Sequence, residues 1–149
     1  MITPRKKENN PIPQGKYLTA TRFGNLIYTS GMTPRRNGEL IQEGKVSSSE
    51  DVDVYKTAIE QAVANAITAT KNKLEKKERI EQVLSLTVYI NAEESFQAHS
   101  ALADLASNYL FEELGSSGIG SRAAVGVSSL PGNAPVEIQL IFAVLPEEK

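Results

Sequence analysis

Two stretches of helical periodicity interrupt a chain that otherwise reads as strand and turn, and that count limits what it can fold into. In the first, Val52, Tyr55, Ile59, Ala62, Val63, Ala66 and Ile67 form one apolar stripe. The segment SSSEDVDVY before it supplies a serine cap with Glu50, Asp51 and Asp53 at the positive end, and the basic run KNKLEKKER follows. The second runs from about Glu94 to Leu114, with Phe96, Leu102, Ala103, Ala106, Tyr109 and Leu110 on one face, until GSSGIGS breaks it. Between Tyr17 and Ser30, YLTATR and LIYTS flank a turn at Phe23-Gly24-Asn25. MTPRRNGEL then reads as a loop. VLSLTVYI, residues 83–90, reads as a buried strand, and strands at Ala123–Ser129 and Val136–Val144 close the chain around the turn at 130–135. The predicted order is two strands, helix, strand, helix, two strands: an α+β domain. Two helices cover only one face of such a sheet, so the bare face predicts a second subunit.

The chain has 149 residues, the size of a single domain, and shows no repeat or linker. Residues 1–14, with three prolines, read as a loose arm before one domain over 15–149. Eighteen acids against sixteen Lys and Arg give a net charge of −2, which argues against a general nucleic-acid binder. The absence of cysteine excludes a disulfide framework, a thiolate nucleophile and a zinc-finger site. The longest apolar run, Leu140 to Leu145, is far shorter than a bilayer span of about 20 residues. The start of the chain is charged and lacks the apolar core of a secretory signal, so a cytoplasmic protein is expected.

Few residues offer chemistry. His99 is the only imidazole, set mid-helix between Ala98 and Ser100, where a partly solvated side chain outweighs a catalytic triad. GSSGIGS lacks the Lys-Ser/Thr of a Walker loop and precedes a strand, so it reads as a connection. Lys71, Lys73, Lys76 and Lys77 read as a solvated helix end, and no cluster has metal-ligand spacing. Arg122 and Glu137 stand out. Glu137 interrupts a strand whose other residues are nearly all apolar, and a carboxylate there requires a partner or a wet cleft. Arg122, at the mouth of AAVGV, offers a planar fork that fits a carboxylate; the plainer reading makes both ordinary surface charges.

GNLIYTSGMTP and SRAAVGVSSLPGNAPVEIQLIFAV resemble the two signature segments of the reactive-intermediate deaminase family, also called Rid, YjgF-like or endoribonuclease L-PSP. The second segment fills every fixed position of R-x-x-V-x-V-x-x-L-P-x-x-x-x-V/I-E-I, and the likeness extends over roughly residues 15–144. It implies a chorismate-mutase-like mixed sheet with two helices on one face, a homotrimer, and clefts between subunits. There 2-imino or enamine acids become 2-keto acids and ammonia with no cofactor and no metal. It further implies that Arg122 holds the substrate carboxylate. Ser30 and the Gly31 backbone would line the site, Tyr17 would offer a hydroxyl, and Glu137 would act as general acid/base on water. The chain departs from the family at Gly15-Lys16-Tyr17, at Gln139 in place of a second Glu, and on the second helix. There Ser100 is the nearest match to a family Asn. A non-catalytic module that senses small carboxylates through the same cleft is the second reading, and an RNA-cleaving role, from the family's older name, the third.

The last two strands are expected to run antiparallel, adjacent or with one strand between them. Glu137 would then lie level with position 129 and Arg122 roughly 23 Å further down, at ~3.3 Å per residue. One small substrate could meet both residues only if they came from neighbouring chains.

Overall fold

The computed structural model of the chain describes residues 10–146. Strands β1 (Ala20–Phe23) and β2 (Leu26–Thr29) form a hairpin around Gly24, whose φ of 60° suits glycine. A small hairpin follows, β3 (Arg35–Arg36) and β4 (Glu39–Leu40), turned by Asn37 and Gly38 with φ of 55° and 85°. This is the Asn-Gly signal of a two-residue hairpin. A 3-10 turn at Val52–Tyr55 leads into α1 (Lys56–Lys71), and the Asp51 carboxylate caps that turn by accepting from the Asp53 amide at 2.9 Å. Next come β5 (Glu78–Asn91), α2 (His99–Leu114), β6 (Ser121–Val127) and β7 (Val136–Pro146).

The five long strands form one sheet in the order β1-β2-β7-β5-β6, antiparallel throughout except for the parallel pair β5 and β6. Helix α2 makes the crossover between those two, and β7 inserts between β2 and β5. Both helices pack on one face. Ile59, Val63 and Ala66 of α1 and Leu102, Ala106 and Leu110 of α2 join Ile27, Val88, Ile90, Ile138, Leu140 and Phe142 in a single core. The other face carries Tyr28, Tyr89, Val125, Glu137, Gln139, Ile141 and Ala143, since each alternates with a core residue along its strand or pairs with a residue that does. Neither helix packs on it.

The mixed α+β architecture is the expected one, with several displaced boundaries. Tyr17–Thr19 lie before β1 rather than within it, and β5 begins five residues earlier than Val83. Helix α2 begins at His99 instead of Glu94, because residues 93–96 turn first: the Phe96 amide donates to the Glu93 carbonyl at 2.9 Å and buries the ring. The capping side chain is Asp51 rather than a serine. MTPRRNGEL, expected as a loop, contains the β3–β4 hairpin. Of the expected arm, residues 1–9 lie outside the described residues. Within 10–14, Gln14 Nε2 donates to the Ile12 carbonyl at 3.0 Å, and Asn10 Oδ1 accepts from Asn72 Nδ2 at 2.9 Å.

Candidate functional site

Strand β7 sets the first half of the site. Its alternation puts Val136, Ile138 and Leu140 into the core and turns Glu137 to the bare face, half-buried beside the segment that follows β2. That segment is held there by Met32, which exchanges backbone hydrogen bonds of 2.7 and 2.8 Å with Ile138. Gly31 therefore passes directly over the Glu137 side chain: a Cβ on Gly31 would lie 2.2 Å from Glu137 Oε2. Any side chain at residue 31 would displace the Glu137 carboxyl from this position. Glu137 accepts no hydrogen bond from a described residue, and burial raises its carboxyl pKa above the ordinary value.

Tyr17 and Gly31 line one cavity of about 290 Å³. The Tyr17 oxygen accepts from the Gln14 amide at 3.0 Å, which leaves its proton free to donate. Ser30 ties the approach to β1 in place, its hydroxyl donating to the Leu18 carbonyl at 2.6 Å and its amide to the Thr19 carbonyl at 2.9 Å.

Arg122 belongs to a different group. It pairs in register with Leu86 of β5 and so points to the helix side of the sheet. There Nη1 donates to Asp104 Oδ1 at 2.7 Å and to Ser107 Oγ at 3.2 Å, and Nη2 donates to Ser100 Oγ at 2.9 Å. The Asp104 carboxylate is mostly exposed. Ser100, Asp104 and Ser107 form a polar stripe at helical spacing on α2. That spacing was the available signal for the two partners that sequence reasoning missed.

The expected register is corrected. Strands β6 and β7 do run antiparallel, with β5 between them, but Glu137 pairs with Tyr89, which pairs with Val125. Glu137 is therefore level with Val125, not with position 129. The long turn after β6 absorbs the difference through a 3-10 turn at Pro131–Asn133. Arg122 is three residues along, about 10 Å, and two strand spacings across, about another 10 Å. The two side chains leave opposite faces of the sheet. One chain brings together Tyr17, Gly31 and Glu137, and separately Arg122 and Ser100.

His99 packs its ring on Phe96, with centroids 5.1 Å apart, and faces Gly126. Among the described residues no group of three or more His, Asp or Glu could hold a metal ion, and no helix is long and apolar enough to cross a membrane.

A family profile described as endoribonuclease L-PSP matches residues 7–144. The chain belongs to that family. A solved structure from Agrobacterium tumefaciens, the protein Atu1372 of unknown function, is 33% identical to this L-PSP chain with a TM-score of 0.78, covering 90% of this chain and 86% of that one. A Shewanella oneidensis protein proposed to be an endoribonuclease is 27% identical with a TM-score of 0.81, over 90% and 89% of the two chains. The YjgF gene product of Escherichia coli shares the fold at 23% identity with a TM-score of 0.66, over 92% and 94%. The L-PSP chain is thus a YjgF-like, Rid-family protein in sequence and fold.

Proposed function

We propose that this protein hydrolyses reactive 2-imino and enamine acids to 2-keto acids and ammonia, without a cofactor, in clefts between the subunits of a homotrimer. The observation that carries the reading is Glu137, a half-buried carboxyl with a raised pKa, pressed against the Gly31 backbone on an uncovered sheet face. A carboxyl poised nearer neutrality suits proton transfer to and from water. Water adds to the C=N carbon while Glu137 takes its proton and returns it to the nitrogen; the carbinolamine then passes its hydroxyl proton by way of Glu137 to the amine, and the C–N bond breaks to give ammonia and the keto acid. Arg122 supplies the fork for the substrate carboxylate. Its present partner Asp104 is itself an exposed carboxylate, so the ligand replaces like with like.

Imine produced in situ by an amino-acid oxidase tests this. Ammonia release should run well above the spontaneous rate, and Glu137→Gln should lower the enzyme's contribution by about 10²-fold or more. Release at the spontaneous rate with wild-type protein would leave the second reading, a module that binds small carboxylates without turnover. The three α2 hydrogen-bond partners already ordering Arg122 favour it, because such a guanidinium is a preformed receptor. The RNA-cleaving reading draws on the family's name, and the lone His99 is taken up by packing on Phe96.

A further inference from the structure

The cavity that Tyr17 and Gly31 share extends along the β3–β4 hairpin to α1, where Arg35, Arg36, Gln61 and Asn65 complete its wall. No Asp or Glu among the described residues lines it, and neither arginine makes an ion pair there. Arg35 is largely committed to structure: Nη1 donates to the Gly38 carbonyl at 2.8 Å, and it also borders a second hollow lined by Glu39 and Glu43. Its Nε–H is buried with no acceptor among the described residues. Arg36 is exposed and, among the described residues, committed only through Nε, which donates to Gln61 Oε1 at 3.1 Å, so its two Nη groups have no described partner. Gln61 is in turn fixed by its amide donating to Asn65 Oδ1 at 2.9 Å, and Asn65 by donating to the Arg35 carbonyl at 2.9 Å. A chain of amides on a helix thus orients a cation toward a small cavity that no acid among the described residues lines, the arrangement that recognises an anion.

We propose that this cavity receives a carboxylate at the far end of the substrate, so that the protein prefers dicarboxylic 2-imino and 2-keto acids to neutral ones of equal length. The proposal rests on the deaminase reading for the reaction but on Arg36 alone for the preference. The volume of about 290 Å³ suits a small metabolite rather than a polymer.

Calorimetry of 2-oxoglutarate against 2-oxopentanoate separates the two ideas, because it needs no turnover. Wild-type protein should bind the dicarboxylate about tenfold more tightly, one charge-assisted contact's worth. Arg36→Gln should erase that ratio while leaving 2-oxopentanoate affinity unchanged, and Arg36→Lys should keep part of it. Equal affinities in wild type, no binding of either acid, or a ratio that survives Arg36→Gln would overturn the proposal. Ammonia release from the imines of glutamate and of 2-aminopentanoate is measured alongside. If neither is accelerated but the binding ratio holds, the deaminase reading falls and the anion preference stands. If both are accelerated equally and Arg36→Gln changes nothing, the reverse holds.

Discussion

Gly31 and Glu137 show how one missing methyl group decides what a carboxylate can do. Gly31→Ala would place Cβ 2.2 Å from Oε2, and because the clash meets the far end of a flexible side chain, Glu137 should swing away while the fold survives. The expected outcome is a near-wild-type melting temperature with most of the ammonia-releasing activity lost. Glu137 also has a signature in stability. Its folded pKa is raised by burial, so the stability linked to it is present below the unfolded value and lost as pH rises through the folded one. Glu137→Gln should therefore be more stable than wild type at pH 7, with the gap closing toward pH 4, as thermal melts at the two pH values would read. That Glu137 was unusual was legible in the sequence, from its place in an apolar strand. Which backbone it touches was not, since residues 31 and 137 meet only through the bridge between Met32 and Ile138. Arg36 lies in a segment whose composition reads as loop, and the Asn37-Gly38 turn that presents it is the one local signal of a hairpin there.

At the scale of elements, periodicity located both helices and every long strand, because burial on one side writes itself into the spacing of apolar residues. Ends were misplaced where a tertiary contact, not a local preference, sets them. The early start of β5 is one case. Glu78, its first residue, is gripped by Arg22 of β1 in a two-pronged pair at 2.5 and 2.7 Å, while Arg22 also donates to the Lys73 carbonyl at 3.0 Å. This pairing across the sheet lowers the Glu78 pKa to about 2. With a depressed folded pKa, the contribution is present above the unfolded value of 4.5 and lost as pH falls toward 2. Glu78→Gln should lower stability at neutral pH and flatten the acid dependence over that window, measurable by denaturant titration at several pH values. The core is a harsher test. Phe142 on β7 is fully buried between the helices and the sheet, and Phe142→Ala should cost about 3–5 kcal/mol by the same titration.

For the whole molecule, the uncovered face is the outstanding fact. It exposes Phe23, Tyr28 and Val125 at 83%, 42% and 39% around the partly buried Ile141. An apolar face of this kind is uncommon on a monomer, and sedimentation should return a trimer rather than a mass near 16.2 kDa. Because Arg122 and Glu137 leave opposite faces of one sheet, a cleft using both takes them from two chains. Arg122→Ala and Glu137→Ala proteins, each inactive, should regain part of the activity when refolded together, and verified mixed trimers without recovery would place the two residues in separate tasks. The sequence could announce the bare face by its shortage of helices, but the strand order that makes the site composite depends on which partner β7 chooses.

That choice has a cost in time. Strand β7, last of the described elements along the chain, occupies the middle of the sheet between β2 and β5. On a ribosome, β2 and β5 would emerge with their hydrogen-bonding edges open toward each other and no strand to fill the gap. Neither half can be finished early, and the most apolar strand must thread into a slot already flanked on both sides. Folding of this chain should therefore wait on long-range closure, with open strand edges exposed during synthesis.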